Sequence, residues 1–301
     1  METRTLGHSK LSASKVGLGC NNFGMKLDAE QTRHVIDAAL DAGVTFLDTA
    51  DLYGGTKSEE FIGAALAGRR ERAVIATKFG GLAMSRKTGE RWGSRDYVRK
   101  AAEASLARLR TDVIDLYQMH FPDPKTPLEE TLGALADLVR EGKVRAIGCS
   151  NFTGAMIDSR FATAQNEWSL LVRKAEADVI PACERHGVSQ LPYFPLASGM
   201  LTGKYRRGEL LPAGSRLASS SYFDAVRSDA NFDKVEKLTA FAAQRGRSLL
   251  ELAFSWLASQ PCVGSVIAGA TSPEQVRANA AAASWQLTPA ELAEVDELAP
   301  R

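Results

Sequence analysis

A chain of 301 residues with 45% hydrophobic and 24% charged side chains has the composition of a globular protein, and its length lies in the range that α/β barrels fill as one domain. A formal net charge of +1 excludes a dominant electrostatic footprint for nucleic acid or an anionic membrane, and no apolar run approaches membrane-spanning length. The four cysteines, Cys20, Cys149, Cys183 and Cys262, stand singly without a C-x-x-C pair or zinc-ligand spacing, which predicts reduced, mostly buried thiols and no metal centre.

In chain order, Met1-Glu2-Thr3-Arg4 leads into no signal core, so a cytoplasmic location is expected. Residues 3–16 alternate weakly around Gly7-His8 and predict a small hairpin, a candidate plug for one end of a barrel, before a first strand at Val16–Gly19. Asp28 with Gln31 three residues on reads as a capping box for a helix carrying Val35, Ile36, Ala39 and Leu40 on one face and ending at Gly43. Val44–Leu47 has the bias of a buried strand and breaks off at Asp48. A second helix from Ser58 leads to the strand Ala73–Thr77, which stops at Lys78. A polar stretch to Gly93 precedes the helix Asp96–Leu109 and the strand Val113–Met119, which stops at His120. Thr126-Pro127-Leu128-Glu129 reads as another capping box, with Pro at the first helical position.

Beyond the strand Val144–Cys149 the alternation continues through a strand Phe161–Gln165, a helix Ala175–His186, a strand Val188–Phe194 and a long loop from Leu196 to Asn231. Helices then run to Ser259, and a last strand Val263–Ile267 precedes capping boxes at Ser272–Gln275 and Thr288–Glu291. Eight strands alternating with helices, without a linker, predict a single (β/α)8 barrel over residues 1–301 rather than an open doubly wound sheet with a second domain.

In such a barrel all strand C-termini open on one face, where Asp48, Tyr53, Lys78 and His120 converge although they are far apart in the chain. An ammonium beside a phenol stabilises the phenolate, so Lys78 is expected to lower the pKa of Tyr53 from about 10, with Asp48 as the counter-charge. His120 is left to orient a substrate oxygen. This is a proton donor suited to a carbonyl or alcohol oxygen, without a Ser-His nucleophile pair or H-E-x-x-H spacing. Redox there needs a hydride source, yet nothing matches G-x-G-x-x-G, so a nicotinamide cofactor has to be held otherwise. Ser150, Asn151 and Gln165 suit a carboxamide, and Tyr193 offers a flat ring. The segment Ser198–Lys204 and Arg216 suit a pyrophosphate, and the helix start at Ser272 suits a ribose phosphate.

The stretches FLDTADLYG, ATKFG, DLYQMHFPD, GKVRAIGCSNF, QNEWSLLVR, PYFPLASGMLTGKY and GATSPEQVRAN occur in this order, and with them nearly the whole chain resembles an aldo-keto reductase. The resemblance implies an NAD(P)H-dependent oxidoreductase that reduces a small-molecule aldehyde or ketone, with Tyr53 as proton donor and Lys78, Asp48 and His120 completing the tetrad. It implies carboxamide contacts from Ser150, Asn151 and Gln165, stacking by Tyr193, and pyrophosphate contacts from Ser198, Leu201, Lys204 and Arg216. Asn21-Asn22 stand where many relatives carry a tryptophan, so aromatic-aldehyde preferences are not implied. Trp168 and Phe194 replace a common tyrosine and serine. At the adenosine end the familiar Lys and Arg contacts to a 2′-phosphate are absent, leaving Thr271, Gln275 and Asn279; NADP is still expected ahead of NAD. Two rivals are a Schiff-base aldolase using Lys78 and a cofactor-binding regulatory subunit of a membrane channel, a role some relatives play. Oligomeric state is left open, and specificity is expected from the loops Gly81–Trp92 and Gly208–Asn231.

Overall fold

Short runs rich in β-branched and aromatic residues form the strands of the computed structural model, which describes residues 1–82, 89–212, 215–219 and 226–301. Strands β1 (Thr3–Thr5) and β2 (Ser12–Ser14) pair antiparallel as the expected hairpin. The others are β3 (Val16–Gly19), β4 (Phe46–Asp48), β5 (Val74–Phe79), β6 (Ile114–Met119), β7 (Val144–Ser150), β8 (Thr163–Gln165), β9 (Ser189–Gln190) and β10 (Val266–Gly269). These eight form one parallel sheet in sequence order from β3 to β9, with β10 hydrogen-bonded to β3. A parallel bridge between Gln190 and Val263, and a 3.1 Å bond from the Ile267 N–H to the Pro192 carbonyl, close the circle. The (β/α)8 expectation is met, and an open doubly wound sheet is excluded.

Strand side chains alternate between the barrel interior and the surrounding helices, so every second residue belongs to one inward row. Within those rows the chemistry changes along the strand. At one end Phe46, Ala76, Leu116, Ala146, Ala162, Leu191 and Ile267 form an apolar cluster with Leu6, Leu11 and Ala13 of the hairpin. Two residues further on, the same rows carry Asp48 after Phe46, Lys78 after Ala76, and Gln118 after Leu116. The hairpin therefore covers the end opposite the polar face. Outward residues such as Leu47, Ile75, Tyr117 and Ile147 join a larger core under the helices. Among the described residues no helix is long and apolar enough to cross a membrane.

Gly7 shows how tightly the plug is seated. Its φ is +53°, and a β-carbon there would stand 2.3 Å from the Ala162 carbonyl oxygen. Its N–H donates to Ser189 Oγ at 2.7 Å. Gly7→Ala is expected to cost about 1–3 kcal/mol in urea unfolding without changing cofactor affinity. A neutral substitution would mean that the plug adds little to stability.

The capping boxes at Asp28/Gln31 and Thr288/Glu291 are reciprocal as expected, and Ser248/Glu251 forms a third. Thr126 does not cap: its hydroxyl donates to Asp123 Oδ2 at 2.6 Å, and Pro127 takes the N-cap position of the helix Leu128–Arg140. The Thr126 oxygen accepts from Arg91 Nε at 3.3 Å rather than from a helix N–H. Ser272 Oγ does accept the Gln275 N–H, but Gln275 Oε1 turns to the N–H and hydroxyl of Thr271 instead of closing the box. Several strands differ from the expected spans, β8, β9 and β10 among them. β8 starts at Thr163, β10 runs Val266–Gly269, and β9 keeps only Ser189–Gln190, because Pro192 lacks an N–H and Phe194 has φ +52°. The expected long loop holds a 3-10 segment at Ala197–Thr202 and a helix at Arg216–Ser219. The expected specificity loops lie partly outside the described residues, at 83–88, 213–214 and 220–225.

Candidate active site

Asp48 ends β4, and the chain beyond it stays on the sheet for three more residues. The Thr49 N–H donates to the Ala76 carbonyl at 2.8 Å and the Asp51 N–H to the Lys78 carbonyl at 3.0 Å. Only then does it turn, through Tyr53-Gly54-Gly55. Gly54 has φ +60°, and a β-carbon would stand 2.5 Å from the Phe23 carbonyl oxygen, so glycine is what lets the turn rest on the loop after β3. Tyr53 is thereby held beside Lys78, whose Nζ lies 5.2 Å from the phenol ring centroid.

Lys78 is fully buried, and its ammonium donates to Asp48 Oδ2 at 2.7 Å and to the Thr49 carbonyl at 2.8 Å. Burial acts to push the Lys78 pKa down, but the adjacent Asp48 carboxylate and Tyr53 outweigh it, and the amine is held above its ordinary value. The other oxygen of Asp48 accepts from Gln165 Nε2 at 2.8 Å and from Gln118 Nε2 at 3.3 Å. The partners of this carboxylate therefore reach it across the barrel interior from β5, β6 and β8.

Lys78 does act to lower the phenol pKa, as expected, but the net shift that the expectation implied is corrected by the structure. Burial raises the Tyr53 pKa, Lys78 opposes it, and the net direction is upward. His120 is 6% exposed, meets the Tyr53 ring edge-on at 5.9 Å and stacks on Phe121 at 4.5 Å. Burial, and then the Lys78 charge, hold its pKa well below the usual imidazole range, so the ring is neutral at pH 7.

These groups face a cleft of about 730 Å³. Asp48, Tyr53 and His120 line its inner end, while Lys78 sits behind them. Ser150, Asn151, Gln165 and Tyr193 line the next stretch. Asn151, at φ +61°, donates from Nδ2 to the His120 carbonyl at 3.0 Å and accepts the Tyr193 hydroxyl at 2.8 Å, so it also braces the wall. Further out, Ala197, Ser198 and Gly199 follow one another with positive φ, and Lys204 reaches the same turn. Ser198 and Lys204 line the cleft there. The N–H groups of Ala197 and Gly199 are taken by the carbonyls of Phe194 and Leu196, both at 2.8 Å, so the Lys204 ammonium and the Ser198 hydroxyl are the groups this turn offers an anion.

Leu201 does not reach this wall: it is fully buried and its N–H is already bonded to the Leu196 carbonyl at 3.2 Å. Arg216 lies in the helix Arg216–Ser219, but its side chain is outside the described residues. Thr271, Gln275 and Asn279 also line the cleft. Two residues that sequence reasoning missed are Lys26, at the cleft wall, and Gln118, on Asp48. The Gln118 signal lay in the alternation of β6, where it shares an inward row with His120.

A cleft of this volume lined by amide groups, a serine and a lysine, with a buried Lys–Asp pair under a phenol, has groups of the kind that a barrel oxidoreductase needs. Residues 15–300 match the model of the aldo/keto reductase family. The chain is 34% identical over 301 residues to "Aldo-keto reductase YhdN" of Bacillus subtilis (strain 168), covering 95% of this chain and 90% of that protein. It is 35% identical over 300 residues to "Probable voltage-gated potassium channel subunit beta" of Oryza sativa subsp. japonica, covering 93% and 90%. The solved structure of the glycerol dehydrogenase AKR11B4 from Gluconobacter oxydans superposes with a TM-score of 0.84 at 31% identity, covering 98% of this chain and 94% of that one. The chain belongs to the aldo/keto reductase family.

Proposed function

We propose that the protein is an NADPH-dependent reductase of small aldehydes or ketones, working as one domain over residues 1–301, with Tyr53 as the proton donor. The observation that carries the reading is the buried Lys78 ammonium, tied to Asp48 at 2.7 Å beneath the Tyr53 ring at the inner end of the cleft. A bound nicotinamide dinucleotide supplies the hydride. Ser150, Asn151 and Gln165 hold the carboxamide and Tyr193 stacks on the ring. Ser198 and Lys204 take the pyrophosphate, with Arg216 as a further cation. Thr271, Gln275 and Asn279 take the adenosine end.

A raised phenol pKa suits this role. Tyr53 remains protonated at neutral pH and so carries the proton to be given, while the nearby Lys78 charge stabilises the phenolate as it forms. Neutral His120 holds the substrate oxygen. The test is a panel of aldehydes and ketones read by NADPH absorbance, and no turnover with any of them would withdraw the reading.

The upward direction at Lys78 argues against a Schiff-base aldolase, which needs a neutral amine. The channel-subunit name of one relative favours a second reading, a cofactor-binding regulatory protein. It predicts cofactor binding without multiple turnovers on the panel.

NADPH is expected to bind more tightly than NADH, but only modestly. Pro273 has no N–H and the Gln275 N–H is committed to Ser272, so little beyond the helix field is left for a 2′-phosphate. A field of that kind contributes about 0.3–1 kcal/mol, no more than about fivefold in affinity. Fluorescence-quenching titrations of both cofactors decide it, and equal or reversed affinities would remove the phosphate assignment.

A further inference from the structure

Beside His120, against Gly81, lies another buried carboxyl group. Asp51 is 2% exposed, and its Oδ1 has no hydrogen-bond partner. His120 Nδ1 is likewise buried without a partner. Both atoms lie against Gly81. A β-carbon on Gly81 would stand 2.9 Å from His120 Nδ1 and 3.0 Å from Asp51 Oδ1, with Leu52 Cδ2 as the third neighbour. The two polar atoms are thus separated by at most the sum of those distances, a gap that one water making two hydrogen bonds of about 2.8 Å closes. Leaving both unpaired in a buried place would cost about 1–3 kcal/mol each.

We propose that Asp51 is a positioning residue for His120, joined to Nδ1 through one water, and that the protonation state of Asp51 selects the imidazole tautomer. The proposal rests on the reductase reading above for its consequence, though not for its geometry. With Asp51 protonated, its O–H donates to the water, the water donates to Nδ1, and the ring proton sits on Nε2. Nε2–H is then a donor to a substrate carbonyl oxygen. With Asp51 ionised, one proton has left to solvent and the chain reverses. The water donates to the carboxylate, Nδ1–H donates to the water, and Nε2 is a bare lone pair facing the carbonyl. The tautomer change moves one proton from Nε2 to Nδ1 through solvent, with none gained or lost by the ring.

The surroundings put this switch near neutrality. Burial and then the Glu59 carboxylate raise the Asp51 pKa to about 7, against Arg108 and the N–H groups of Leu82 and Gly80. Glu59 faces it from the helix Lys57–Ala65, Arg108 from the helix Arg95–Leu109, and the Tyr117 hydroxyl from β6. Glu59 is itself held by Arg108 Nε at 2.6 Å and by the Thr77 hydroxyl at 2.5 Å. His120 is also faced by Lys78 and Tyr53. The imidazole stays neutral through this range, so only its tautomer changes.

The test is the ring-nitrogen NMR of histidine-labelled protein between pH 5.5 and 8.5, with His120→Asn to assign the signal among the four histidines. The parent is expected to pass from the Nε2–H to the Nδ1–H tautomer as pH rises through about 7. Asp51→Asn, whose amide donates at every pH, is expected to stay Nε2–H throughout. In parallel, kcat/KM for carbonyl reduction is expected to fall with a pKa near 7 in the parent, a step that Asp51→Asn removes while keeping the low-pH activity. A parent tautomer that does not change with pH, or an Asp51→Asn protein that titrates as the parent does, would overturn the proposal. Failure of the reductase reading shows instead as no turnover in either protein, and the NMR result still judges the link.

Discussion

Tyr53→Phe is expected to bind NADPH as the parent does and to lose about 10²- to 10⁴-fold in turnover, the usual contribution of a positioned acid. The ring remains to meet His120 edge-on and to cover Lys78, so packing survives and only the transferable proton goes. Lys78→Met acts on the same step, by removing the charge that stabilises the phenolate. Tyr53→Phe/Lys78→Met should therefore be little slower than either single variant. Near-normal carbonyl reduction by Tyr53→Phe with unchanged NADPH affinity would show that the proton comes from elsewhere, and His120 would be the first group to examine.

Asp48→Ala is expected to act on stability as much as on rate. It removes the 2.7 Å partner of an ammonium that has no access to water, and it strands the Gln165 and Gln118 amides that share the other carboxylate oxygen. Breaking a buried pair from one side costs about 3–5 kcal/mol. Adding Lys78→Met to Asp48→Ala removes the uncompensated charge, so the double variant is expected to be more stable than Asp48→Ala alone, although equally inactive. Urea unfolding of the four proteins of the cycle reads both effects. A double variant less stable than Asp48→Ala would show that Lys78 contributes packing rather than an unpaired charge.

Much of the site could be read before any coordinates. Asp48, Lys78 and His120 each follow an apolar run, and a run that ends in an ionisable side chain marks where a buried strand meets solvent. Gln118 escaped notice because it lies inside such a run, between Tyr117 and Met119, and only the inward row shared with His120 reveals it. Leu201 is a cofactor contact only by resemblance, and here its side chain joins the core while its N–H bonds the Leu196 carbonyl. Thr126 does not cap because its oxygen accepts from Arg91, a residue distant in the chain that becomes its neighbour only when the barrel folds.

By itself the sequence determined the order of strands and helices, the reciprocal caps at Asp28 and Thr288, and the residue types available at the polar face. These follow from local periodicity and from hydrogen bonds spanning only a few residues, and such features survive without knowledge of distant neighbours. The direction of each pKa was settled only in the folded barrel. Burial raises Tyr53 against the pull of Lys78, and burial with Glu59 nearby brings Asp51 to about 7 beside His120. Desolvation depends on everything packed around a group, and charge interactions depend on distance in space, so neither is set by spacing along the chain.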